Sequence, residues 1–218
     1  MERLTLIFIL NCISLVFPHT SYPHQIRGEV TPLMNQMEAV ISLIEANKIG
    51  LAFKEVREML RDSHYKDETR LEEGLGTAAS QIDKRFKTDI QSALGASLAK
   101  RDSDMLKKTL QKLGALLMLE KFNSLEAKSH SIDSDARKSI FWSGRNYFSL
   151  VLEPALEKSD PAEEMRMDRL LDRMLYRLED RKWEEFRTAK IELIGRIEKY
   201  FSFSLPSSLL EDSTNSTN

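Results

Sequence analysis

The chain's 218 residues, 41% hydrophobic and 30% charged, suffice for one sizeable helical domain whose core needs no metal or disulfide staple. Its 32 basic and 34 acidic side chains leave a formal net charge of -2, which points away from nucleic acid and from an acidic membrane surface. With 8 glycines and 6 prolines, the composition suits long helices and disfavours a many-stranded sandwich.

Met1-Glu2-Arg3 precedes the largely apolar run Leu4 to Phe17, which is shorter than the roughly 20 residues of a membrane-spanning helix. Residues 1–22 read as a signal peptide, with the cut somewhere in Pro18 to Pro23. The protein is therefore expected to be exported, periplasmic or secreted, with no integral membrane segment after leader removal. Cys12, the sole cysteine, leaves with the leader, so the mature chain lacks disulfides, thiolate ligands and a cysteine nucleophile.

Thr31-Pro32 opens a first helix with Leu33, Met37, Val40, Ile41 and Ile44 at helical spacing. Asn47 to Gly50 interrupts it, a second helix buries Ala52, Val56, Met59 and Leu60, and Asp62 to Lys66 ends the pair. One long helix is expected from Asp67 to about Ala99, weakened at Gly74, Gly76 and Gly95. After the turn at Arg101 to Asp104, the helix from Met105 to about Leu125 is apolar over most of its circumference and belongs at the bundle centre. Ala127 to Ser134 is a loop, and an aromatic helix follows from Asp135 to about Lys158, broken or kinked by Pro154. Arg137 and Arg145 accompany its apolar face, and Trp142 points elsewhere, either packed by a second layer or offered to a partner.

Asp160-Pro161-Ala162-Glu163 is a helix start, and the stretch it opens runs as a hairpin to Phe201. At about 100° per residue, Met167, Leu170, Leu171, Met174 and Leu178 share one face. Arg166, Arg169, Arg173 and Arg177 line another, with Glu164, Asp168, Asp172 and Glu179 between. An offset of 134 residues pairs Met37, Val40, Ile44, Ile49 and Ala52 with Leu171, Met174, Leu178, Trp183 and Phe186, so the first and last hairpins echo one another. Residues 28–203 form the helical bundle domain, and 204–218 read as a disordered tail containing the sequon Asn215-Ser216-Thr217.

The fold expected is all-α, an antiparallel bundle of about six or seven helices built from αα-hairpins. The chain has no nucleophile elbow, P-loop, dinucleotide-binding glycine turn or His-Glu-x-x-His helix, and its few histidines fall in loops or helix ends. We therefore expect no enzyme and no cofactor. Paired carboxylates such as Asp168 with Asp172 or Glu153 with Glu157 provide hard oxygen ligands, but the Glu-x-x-His element of bundle-core iron sites is missing. The remaining metal candidates are His64 with Asp62, Asp67 and Glu68 around one turn. Four guanidiniums along one helix suit recognition of a protein partner or a small anionic ligand, with Arg137, Arg145 and Trp142 as further candidates.

Ala136, Tyr147, Phe148, Pro154 and Leu156, followed by Asp160-Pro161 and a charged amphipathic hairpin, resemble the helical modules that accompany bacterial iron permeases in the periplasm. The resemblance covers about a quarter of the chain, Ala136 to Ile194. It implies a metal-handling accessory beside a membrane transporter, and it carries over no iron-binding residue.

Overall fold

The computed structural model describes residues 27–61, 64–67, 70–129 and 131–207, with backbone alone at 64–67 and 70–73. Helix α1, Pro32–Glu45, begins as its proline requires, with the Thr31 hydroxyl accepting from the Met34 N–H at 3.3 Å. It is followed by α2, Ile49–Arg61, a two-stranded ribbon of β1, His64–Asp67, and β2, Arg70–Glu73, then α3, Leu75–Phe86, and α4, Ile90–Lys100. The second half comprises α5, Ser103–Ala127, and α6, Ser134–Tyr147, then a π-helical turn at Phe148–Leu152 and α7, Glu153–Ser159. The hairpin of α8, Pro161–Glu179, and α9, Trp183–Phe201, completes it. The protein is all-α apart from the small ribbon. No helix among the described residues is long and apolar enough to cross a membrane.

Two expected helices are divided. The segment from Asp67 to Ala99 becomes the end of β1, all of β2, α3 and α4, because two local features stop the winding. Gly74 is extended and stands at the N-cap of α3, and Lys87 takes a left-handed conformation with φ 53. The Asp83 carboxylate then caps the next helix from the one before, accepting from the Ile90 N–H at 2.7 Å, the Gln91 N–H at 2.9 Å and the Thr88 hydroxyl at 2.7 Å. The aromatic helix also divides, but Pro154 does not end it. The chain widens to π winding over Phe148–Leu152, with the Glu153 N–H donating to the Phe148 carbonyl, so Pro154 falls in the first turn of α7 where no N–H is required.

The first and last hairpins share one turn. Asn47 and Arg181 both adopt φ 58, and Lys48 and Lys182 each donate to the carbonyl five residues back, Leu43 and Arg177, at 2.8 Å. The N–H groups of Asn47 and Arg181 donate three residues back, to the carbonyls of Ile44 at 3.0 Å and Leu178 at 3.2 Å. This double closure is a Schellman motif, and it occurs at the 134-residue offset that relates the two amphipathic patterns.

Ion pairs and close contacts show the helix directions. Arg145 meets Asp168 and Asp172, and Lys138 meets Glu179, so α6 and α8 run antiparallel. Arg196 to Glu163 and Arg177 to Glu185 make α8 and α9 antiparallel. Helix α5 lies at the centre, as its apolar circumference predicts, touching α1, α3, α4, α6, α9 and the π-turn. Its approach to the α6 side depends on two glycines. A Cβ on Gly114 would lie 2.6 Å from Val151 Cγ1 in the π-turn, and one on Gly144 of α6 would lie 2.7 Å from Phe122 Cε1. The core continues past the expected boundary, since Leu205 is buried and its N–H donates to the Glu198 carboxylate at 2.6 Å.

Gly114→Ala and Gly144→Ala are each expected to destabilise the protein by about 1–3 kcal/mol through overpacking. Gly195→Ala, where nothing lies within 4 Å of the added methyl, is expected to stabilise it by about 0.5–1 kcal/mol. Urea unfolding midpoints of the three variants check both signs.

Candidate functional site

The polar residues of the aromatic helix are turned inward, onto α8. Arg145 is 6% exposed, and a buried guanidinium requires anions. It finds two, one helical turn apart on α8: Nη2 donates to Asp168 and Nη1 to Asp172 at 2.7 Å. The paired carboxylates that suggest metal ligands in the sequence are therefore the two acceptors of one arginine. Above them, the guanidiniums of Arg145 and Arg27 lie 5.2 Å and 5.3 Å from the centre of the half-buried Trp142 ring. Asn146 holds the segment before α1 in place, donating to the carbonyls of Arg27 and Glu29 at 3.0 Å and 3.2 Å. Arg137 is also buried, and its Nη1 donates to the Ile132 carbonyl at 2.9 Å. Arg145 thus joins α6 to α8 along a seam, with Trp142 beside it, whereas Arg137 is held by the loop before its own helix.

Below this seam lies a group that the sequence pattern does not single out as a pair. Glu153, 1% exposed, follows the π-turn and faces Glu164 and Asp168 of α8. Burial, the hydrogen bond with Glu164 and the charges of Glu164 and Asp168 push its carboxyl up to about 8, against the opposing hydrogen bond from Ser149. At neutral pH the Glu153 carboxyl keeps its proton, within its hydrogen bond with Glu164. The signal in the sequence is a carboxylate directly after the apolar run Tyr147 to Leu152 and before a proline, but its partner is eleven residues away on another helix.

The four arginines of α8 have unequal fates. Arg166 pairs with Glu163 at 2.8 Å, and Glu163 also holds Arg196 at 2.8 Å. Burial would raise the Glu163 carboxyl, and the two guanidiniums outweigh it and hold it below the usual carboxylate range. Arg177 places Nε 2.8 Å from Glu185 of α9. Arg173 reaches Glu192 only at 3.6 Å, and Arg169 bonds to the Met165 sulfur at 3.2 Å, a weak acceptor. Arg169 and Arg173 are exposed, flanked by Met165 at 51% and Tyr176 at 64% exposure. An open groove of about 440 Å³ runs along this face, lined by Arg169, Asp172, Arg173, Tyr176, Arg177 and Asp180.

Of the metal candidates, His64 and Asp67 belong to β1, and Asp62 and Glu68 lie outside the described residues. Among the described residues no group of three or more His, Cys, Asp or Glu side chains is arranged to hold a metal ion. The expected signal peptide, residues 1–22, and residues 208–218 also lie outside the described residues. No protein-family model matches the chain, and no curated protein or solved structure matches it significantly.

The raised Glu153 carboxyl sets a pH dependence of known sign. The folded state binds this proton more tightly than the unfolded chain, whose value is near 4.5, so the associated stability is complete below pH 4.5 and lost as pH rises through about 8. The unfolding free energy is expected to fall between pH 5 and 8 with a slope of at most about 1.4 kcal/mol per pH unit from this group. Glu153→Gln, which keeps the donor to Glu164, should remove that slope. Urea unfolding of both proteins across the interval measures the difference.

Proposed function

We propose that the protein is an exported, non-enzymatic binding protein, and that the outer face of α8 is the surface with which it holds an acidic segment of a protein partner. The carrying observation is the exposed stripe Met165, Arg169, Arg173 and Tyr176, in which neither guanidinium is closely ion-paired among the described residues. The four positions span 12 residues of helix, about 16 Å, which exceeds the reach of a small inorganic anion and suits a second helix or an extended peptide. Arginine and tyrosine with a flanking methionine are the side chains that most often anchor a protein contact. The arginines lie one turn apart, matching carboxylates spaced i and i+4 on an acidic helix. Export is supported by the composition of residues 1–22.

The test uses an amphipathic peptide with glutamates at i, i+4 and i+8, followed by fluorescence anisotropy. Arg169→Glu with Arg173→Glu is expected to weaken binding by roughly tenfold or more, with the unfolding temperature unchanged because both side chains are exposed. Binding that is equal in the variant removes this face from the account. Stoichiometric iron, copper or zinc in the purified mature protein would instead favour the metal-handling role implied by the resemblance to permease-associated modules.

A further inference from the structure

A second concave surface lies where four helices end together, at the C-termini of α1, α7 and α9 and the N-terminus of α5. This cleft of about 600 Å³ is within the size range of small-molecule sites. Its lining combines three kinds of chemistry. Phe201 and Ala155 supply apolar surface, Ser159 and Tyr200 supply hydroxyl groups, and Lys107, Lys108 and Lys158 supply positive charge. The Ser159 hydroxyl donates to the Ala155 carbonyl at 2.5 Å, and the Tyr200 hydroxyl, with one proton to give, turns to Ser159 or to the same carbonyl, so both oxygens keep lone pairs for other donors.

Gln111 of α5 also lines the cleft. It is 6% exposed, and its side-chain amide has no hydrogen-bond partner among the described residues. The amide lines the cleft with its donor and acceptor both available to a ligand. The charges are also unbalanced. Lys107 is neutralised by Glu45 at 2.5 Å, whereas Lys108 and Lys158, on two different helices, have no carboxylate within ion-pair distance among the described residues. Asp104 is the other acid in the lining.

We propose that this cleft binds a small organic acid with a flat apolar body: its carboxylate meets Lys108 and Lys158, its ring lies on Phe201 and Ala155, and a polar substituent hydrogen-bonds Gln111. The unpaired lysines select an anion over a cation or a neutral ligand. The apolar floor and the amide select an organic acid over inorganic phosphate, which would leave both unused. The site is separate from the outer face of α8, and neither reading depends on the other.

The probes are 4-hydroxybenzoate, benzoate and inorganic phosphate, each titrated into the purified protein up to about 10 mM with two-dimensional NMR as the readout. Saturable shifts of the Gln111 side-chain amide are expected with 4-hydroxybenzoate, weaker binding with benzoate, and none with phosphate. Lys108→Glu with Lys158→Glu should weaken 4-hydroxybenzoate roughly tenfold or more. Gln111→Leu should weaken it several-fold while unfolding at an equal or higher temperature, a combination that a purely structural glutamine would not produce. Failure of both aromatic acids to saturate overturns the proposal. So does phosphate binding as tightly as they do, or variants that bind unchanged.

Discussion

The buried guanidinium of Arg145 is the constraint on which the rest of the molecule depends. A charge this deep is tolerable only against carboxylates, and Asp168 and Asp172 are the two that α8 supplies on adjacent turns. Their spacing fixes both the rotation of α8 and its position along α6, because a register shift of one residue would turn each carboxylate through about 100°. With Asp168 and Asp172 turned toward α6, the arginines flanking them are directed outward. The exposed stripe is thus a consequence of the inner lock. The glycines that let α5 approach the π-turn and α6, and the π-turn that seats Glu153 beside Glu164, complete the same seam from the other side.

A second buried charge serves α9 in the same way. Lys190, 1% exposed, donates to Asn123 at 2.8 Å and Glu126 at 2.6 Å, which ties α9 to the central helix. The final hairpin is therefore held by polar contacts on both of its helices, α8 by Arg145 and α9 by Lys190. Apolar packing alone leaves a helix free to slide by a turn at modest cost, whereas an ionic contact of this depth admits one register. These contacts hold the outer face of the hairpin in one orientation.

The sequence makes much of this architecture legible and leaves the functional surface partly hidden. Thr31 and Asp160 are caps that read directly, because a cap acts within three residues of itself. The apolar faces of α1, α5 and α8 also follow from periodicity, and the shared turn of the two hairpins agrees with their matched patterns. The split between α3 and α4 was hidden because its cap, Asp83, belongs to the preceding helix. The division at Phe148–Leu152 was hidden because a proline inside an aromatic run can end a helix or merely widen it, and packing against α5 decides. On a helical wheel Arg166, Arg169, Arg173 and Arg177 look equivalent. Only the approach of α9, which brings Glu185 to Arg177 and leaves Glu192 far from Arg173, distinguishes them. The cleft at Gln111 draws on four helices and has no local signature at all.

The central claim is that the contact of Arg145 with the α8 carboxylates fixes the placement of that helix. A double-mutant cycle with Arg145→Met, Asp168→Leu and the combined variant, read by urea unfolding, tests it most directly. Arg145→Met is predicted to cost about 3–5 kcal/mol, because it strands the buried Asp168, and Asp168→Leu to cost less, because Asp172 still pairs with Arg145. The combined variant should cost less than the sum by about 2 kcal/mol or more. Costs that add within about 0.5 kcal/mol would show that the two side chains do not hold one another, and would contradict the account.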